Sequence, residues 1–155
     1  MRLLFLTALF TFALDQITKW AVVHALDLGN RLYMDVMPGF ITFIMAWNEG
    51  INFGLFAGDG DITRFILIAM ALGITGFVIY WMRREQNPWA LASAGVLVGG
   101  ALGNVVDRVI YGAVADFLNV TCCGIHNPFS FNVADITIFV GAIGLIFFAT
   151  DHNKG

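Results

Sequence analysis

Four stretches of this chain, at about 3–23, 62–82, 89–109 and 132–150, are long and apolar enough to cross a lipid bilayer. A hydrocarbon core of roughly 30 Å takes about 20 mostly apolar residues in a helix. No water is present there to pair with a free backbone group, so each stretch has to be helical. The first carries Asp15 and Lys19, and the second has no charge after Arg64. The third ends near Asp107 and Arg108, and the fourth has Asp135 near its start. Composition agrees: 59% of the 155 residues are hydrophobic, 12% are charged, and the mean hydropathy is +0.80. Ordinary soluble domains carry about 25% charged residues. The expected fold is an all-α integral membrane bundle of four transmembrane helices, a single membrane-embedded domain over residues 1–155.

Arg2 and the apolar run Leu3–Leu14 resemble a cleaved signal peptide. Asp15 and Lys19 interrupt that run and no small-x-small site follows cleanly, so the segment is read as a retained span. Lysine and arginine in short loops set the orientation. Arg2, Arg83, Arg84 and Lys154 fall on one side and Arg31 on the other. Both termini are therefore expected on the cytoplasmic side, with Arg83–Pro88 as a cytoplasmic turn flanked by Trp81 and Trp89. Trp20 and Trp47 suit the outer interface. Two outer loops, at about 24–61 and 110–131, remain. Phe40–Trp47 (FITFIMAW) is aromatic-rich and alternating, the pattern of short strands. A small β-containing extracytoplasmic subdomain is expected from it. Asp116 is read as a residue of the second outer loop.

Several function classes lose support. The net charge of −3 comes with no basic tract, which leaves nucleic acid without a footprint. Cys122 and Cys123 are adjacent, so they make no disulfide framework and no CxxC spacing. They read as a free thiol pair or a strained vicinal disulfide. His24, His126 and His152 are scattered, and no metal and no cofactor are expected.

An ionisable side chain inside a span costs several kcal/mol unless it has a partner, so its position is informative. With helices that alternate in direction, Asp15 lies roughly 18 Å along its span at 1.5 Å per residue. Asn104, Asp107 and Arg108 end the third span, while Asn132 and Asp135 begin the fourth. All fall in the outer leaflet, where they describe a polar site between helices. Asp15 and Lys19 are i,i+4, the spacing of a helical ion pair. They either neutralise one another or serve the site. Gly95, Gly99 and Gly103 repeat a GxxxG spacing that lets backbones approach closely. Gly99, Gly103 and Asp107 share one stripe, and Gly100, Asn104 and Arg108 the next. Arg108 either positions a substrate group or holds a carboxylate.

Asp116 and Asp135 are the chemically suggestive pair. If Asn132 caps the fourth helix, Asp135 sits in its first turn, where an acid is favoured anyway. Two close carboxylates share a proton. One can then take a proton from water while the other donates to a carbonyl or a leaving amine. A proton-coupled carrier would need polar residues at both leaflets, and the inner halves carry few. A membrane scaffold explains the glycine stripe but gives no reason for two acids at paired helix ends.

In order, the segments Asp15-Gln-Ile-Thr-Lys19, Asn48-Glu-Gly50-Ile-Asn-Phe53-Gly54, Gly99-Gly-Ala-Leu-Gly-Asn104-Val-Val-Asp107-Arg108, Val114-Ala-Asp116-Phe117 and Phe131-Asn132-Val-Ala-Asp135 resemble bacterial lipoprotein signal peptidase, signal peptidase II. The resemblance covers nearly the whole chain. It implies an aspartic endopeptidase of the cytoplasmic (inner) membrane, acting near the outer, periplasmic face. The implied catalytic residues are Asp116 and Asp135. Asp15, Lys19, Asn48, Gly50, Asn104, Arg108 and Asn132 are implied to shape the site and hold substrate. Asp107, Gly99 and Gly103 are read as structural. The implied substrate is a prolipoprotein with a diacylglyceryl cysteine, cut on the N-terminal side of that cysteine. The cyclic peptide globomycin is the implied inhibitor, membrane lipids are the surroundings, and a monomer is expected. Asn52 departs from the family, which usually has a small residue there. The loop 24–61 is expected to be mobile and to fold over substrate.

Overall fold

The computed structural model describes residues 1–50, 60–121 and 127–149. Asn52, Phe53, Gly54, Cys122 and Cys123 lie outside the described residues, so the readings placed on them stay at sequence level. Helix α1 spans Arg2–Trp20 and continues into a π-helical turn, Ala21–Ala25. After a short helix α2 (Leu28–Arg31) come strands β1 (Tyr33–Met37) and β2 (Ile41–Asn48). Helices α3 (Gly60–Met82) and α4 (Pro88–Tyr111) follow, then strand β3 (Val114–Val120) and helix α5 (Val133–Phe148).

Three helical segments, Arg2–Ala25, Asp61–Met82 and Pro88–Tyr111, are long and apolar enough to cross a membrane. Helix α5 is apolar but has 16 residues, or about 24 Å at 1.5 Å per residue. It is shorter than the segment 132–150 because Asn132 stays outside as its N-cap and Ala149 ends it. The surface is apolar in the manner of a lipid-facing protein: Phe10 is 70% exposed, Phe139 67% and Phe147 69%. In water such a surface would drive association.

Helix α4 is the centre, and its glycines set the spacing to both neighbours. A side chain at Gly95 would meet Thr7 and the Leu4 carbonyl of α1, and one at Gly99 would meet Ala8 and Thr11. At Gly103 it would meet the Asp15 carboxylate. On the adjoining face, Gly100 lies against Ala134 and Thr137 of α5, and Gly141 returns the contact against Ser93 and Leu97. The apolar cluster of Leu4, Met82, Leu91, Val98 and Leu145 fills the end away from the sheet. Asn87 caps α4 by accepting the Trp89 N–H, and Pro88 suits the first turn because it lacks an N–H. The Asn87 amide also donates to the Phe148 carbonyl, which ties the start of α4 to the end of α5.

The strands form one antiparallel sheet in the order β1-β2-β3. The alternating segment at 40–47 is β2, within one residue. The placement of Asp116 in a loop is corrected: β3 includes it, paired opposite Ala46 of β2. Its strand has a buried stretch, Val114–Phe117, apolar except for Asp116, which finds cover against β2 and the helices. Phe117 meets Phe43 edge-on at 5.5 Å. Phe131 bonds to Leu118 in both directions, at 2.8 and 3.0 Å, so the chain enters α5 directly beside β3.

Candidate active site

The polar residues of three helices and one strand meet at one end of the bundle. They are the last turns of α1 and α4, the first turn of α5, and β3. The Phe131–Leu118 bridge sets Asn132 against Asp116, whose Oδ1 accepts the Asn132 Nδ2–H at 2.6 Å. The same Asn132 makes a capping box with Asp135. Its Oδ1 accepts the Asp135 N–H at 2.9 Å, and its own N–H donates to Asp135 Oδ2 at 3.2 Å. One fully buried asparagine thus holds both carboxylates.

Each acid has a further amide donor. Asn48 Nδ2 donates to Asp116 Oδ2 at 3.0 Å, and Asn104 Nδ2 donates to Asp135 Oδ1 at 2.9 Å. Asn48 is oriented from the other side by the Gly50 N–H, which donates to its Oδ1 at 2.9 Å. Gly50 has φ +82°, where a Cβ is strained, and a side chain there would also collide with Leu67. Asn104 Oδ1 accepts from Lys19 at 3.0 Å and from Asn132 at 3.3 Å.

Beneath this layer lies a buried ionic cluster. Lys19 Nζ is 2.9 Å from Asp15 Oδ2 and 2.7 Å from Asp107 Oδ2. Asp15 and Lys19 therefore do pair, but Lys19 is shared, and two carboxylates with one ammonium leave a net charge of −1. Buried charge on this scale is tolerated only when the remaining lone pairs find donors. Gln16 supplies them, with Nε2 at 3.2 Å from Asp15 and 3.1 Å from Asp107. Backbone groups supply the rest: Asp15 Oδ1 accepts the Ala134 N–H of α5, and Asp107 Oδ2 accepts the Ala115 N–H of β3. The two acids thus fasten the segments that carry Asp135 and Asp116. Gln16 is the residue that the charge-based reading passed over. A neutral amide gives no charge signal, although it lies inside the segment Asp15–Lys19.

Arg108 is half-buried, and its Nη1 reaches only the Asn104 carbonyl of its own helix, at 3.4 Å. Among the described residues no carboxylate lies within ion-pair distance of it. Its Nε is buried and unpartnered among the described residues. That leaves a cation beside the two acids with donors to spare. Thr18 bonds the Asp15 carbonyl at 2.8 Å and takes no part in the cluster.

A cavity of about 310 Å³ opens onto Asp116, with Asn48, Gly50, Phe129 and Ser130 among its walls. Burial, and then the charge of Asp135, raise the Asp116 carboxyl from 3.8 to about 6, against the lowering effect of its two asparagine donors and Lys19. A carboxyl titrating near neutrality beside a second carboxylate is suited to exchanging protons with water and with an amide. Among the described residues no group of three His, Cys, Asp or Glu is arranged to hold a metal ion.

Residues 7–150 match the family described as signal peptidase (SPase) II. The lipoprotein signal peptidase of Rhodopseudomonas palustris (strain TIE-1) is 38% identical over 150 residues, covering 94% of this chain and 90% of that protein. The lipoprotein signal peptidase of Methylobacterium radiotolerans is 40% identical over 141 residues, covering 91% and 81%. A bacterial membrane enzyme solved by the in meso method at 1.9 Å superposes with a TM-score of 0.79 at 26% identity, covering 96% of this chain and 92% of that one. The likeness thus spans the bundle, the sheet and the polar cluster together, and the chain belongs to the signal peptidase II family of membrane aspartic endopeptidases.

Proposed function

We propose that this protein removes the signal peptide from a prolipoprotein whose cysteine carries a diacylglyceryl group, cutting on the N-terminal side of that cysteine. The observation that carries the reading is the suspension of Asp116 and Asp135 from one asparagine, with Asp116 buried at the wall of an open cavity. Asp116 holds the proton that the pair shares. Asp135 takes a proton from water as the oxygen attacks the scissile carbonyl, and Asp116 protonates the carbonyl oxygen. The tetrahedral species collapses as Asp135 returns its proton to the leaving amide nitrogen and Asp116 recovers its own. The C–N bond breaks, and both carboxyls return to their starting state.

Arg108, with its unpartnered donors, and Asn48 are placed to bind substrate carbonyls. Asp15, Lys19, Asn104, Asn132 and Gly50 hold the two acids in position, and Asp107, Gly99 and Gly103 maintain the packing of α4. Residues 1–155 act as one domain. Helix α5 is the fourth span, with Asn132 at the membrane surface. Arg2, Arg83, Arg84 and Lys154 favour cytoplasmic termini and so an active site at the periplasmic face of the inner membrane. The acyl chains of the modified cysteine would hold the scissile bond at that level. A globomycin-like cyclic peptide would occupy the same cavity. The working unit is a monomer.

The test uses purified protein in nanodiscs and a fluorogenic lipobox peptide, with and without its diacylglyceryl group. Cleavage of the lipidated peptide alone, lost in Asp116→Asn and Asp135→Asn, is expected. Near-normal cleavage by either variant would show that the acids are misassigned.

A further inference from the structure

A second cavity, of about 260 Å³, lies behind β3. Ala115 lines it, whereas the next residue, Asp116, lines the active-site cavity. Successive strand residues face opposite ways, so the two spaces open on opposite sides of β3, with Trp47 of the neighbouring strand lining both. Trp20, Trp47 and Tyr111, each close to half exposed or more, form the mouth of this second cavity, while Gln16, Lys19 and Asp107 form its floor. Trp47 and Tyr111 are in ring contact at 5.5 Å.

Three separate features favour a cation here. Aromatic faces attract ammonium groups. The floor residues Asp107 and Lys19 belong with the buried Asp15 behind them to a cluster of formal charge −1. The Lys19 ammonium within it is already engaged by Asp15, Asp107 and Asn104. Helix α4 and the π-helical turn that extends α1 both end at this cavity, and the C-terminal end of a helix carries partial negative charge. The mouth sits at the helix ends with tryptophan and tyrosine around it, the level of phospholipid headgroups.

We propose that this cavity binds the ammonium headgroup of a membrane phospholipid, a site separate from the peptidase centre. The occupant is a lipid and not a free amine, because Trp20 is 64% exposed on the outer surface of the bundle. The acyl chains then run down the apolar surface of α1.

The test reconstitutes the full chain in nanodiscs of equal phosphatidylethanolamine and phosphatidylglycerol. It then extracts the protein into mild detergent and measures the retained lipids by mass spectrometry. Wild type should retain phosphatidylethanolamine preferentially. Trp20→Leu and Tyr111→Leu should each lower that preference roughly fivefold, the equivalent of about 1 kcal/mol per aromatic face. His24 is exposed at the same rim and offers charge variants that leave the core untouched. His24→Glu should raise the preference and His24→Lys should lower it. Equal retention of the two lipids by wild type, or one ratio for both His24 variants, would overturn the proposal. Washing with free ethanolamine separates the sources: displacement of the lipid by millimolar ethanolamine would show that the head alone is recognised and the lipid is not required.

Discussion

The Asp15 carboxylate of the first helix accepts the Ala134 N–H in the first turn of the last helix, at 2.9 Å. Asn132 satisfies the next N–H of that turn, so two side chains from distant parts of the chain cap one helix. Removing the carboxylate leaves Lys19 with one acid fewer and the Ala134 N–H unpaired. Asp15→Leu should lower stability by about 3–5 kcal/mol, the cost of breaking a buried ion pair. Asp15→Asn keeps an acceptor and should cost less. Thermal melts in one detergent, with cleavage assayed below the melting range, compare them.

Loss of either suspended acid should abolish cleavage while preserving the fold. Asp116→Asn and Asp135→Asn are expected to lower kcat by at least about a thousandfold, since proton transfers alone contribute 10²–10⁴ and two are disabled. Helix content by circular dichroism should be unchanged. A variant retaining a tenth of the wild-type rate would contradict the roles assigned.

The position of Asp116 predicts two pH dependences. Cleavage needs its proton, so kcat/KM should fall above pH about 6, approaching tenfold per unit. Asn48→Ala removes a donor that favours the charged form and should move this limb to higher pH. Stability follows the same proton. The folded value near 6 exceeds the ordinary 3.8, so the fold binds the proton more tightly than the unfolded chain. The Asp116 contribution is complete below about pH 4 and is lost as pH rises through 6. Its size is at most about 3 kcal/mol at 1.36 kcal/mol per unit. Asp116→Asn should therefore narrow the gap between melting temperatures at pH 4.5 and 7.5.

Glycines on α4 and α3 should respond in opposite ways to one methyl group. Gly103→Ala places a Cβ against the Asp15 carboxylate and should cost about 1–3 kcal/mol, as overpacking does. Gly73→Ala meets nothing within 4 Å. It should be neutral or stabilise α3 by up to about 1 kcal/mol, the helix propensity difference. Equal shifts in melting temperature would refute the packing role of Gly103.

Much of this molecule was legible one segment at a time. Apolar runs at 3–23, 62–82 and 89–109 meet the bilayer's demand for internally satisfied backbone, so the spanning helices follow from local composition. The stripes Gly99–Gly103–Asp107 and Gly100–Asn104–Arg108 follow from helical periodicity. The structure turns the first toward α1 and the second toward α5. Which polar groups meet depends on contacts between segments far apart in the chain. Asp116 looks like a loop acid because a strand at 114–120 is stabilised by β2, some 70 residues earlier, and not by its own sequence pattern. Lys19 looks like half of a pair because its second carboxylate, Asp107, belongs to another helix. Periodicity is a property of neighbours along the chain, whereas the charge balance and burial of a site are sums over segments that only folding brings together. For that reason the candidate acids and Asn132 could be named from sequence, but only the folded chain shows that this one asparagine holds both acids.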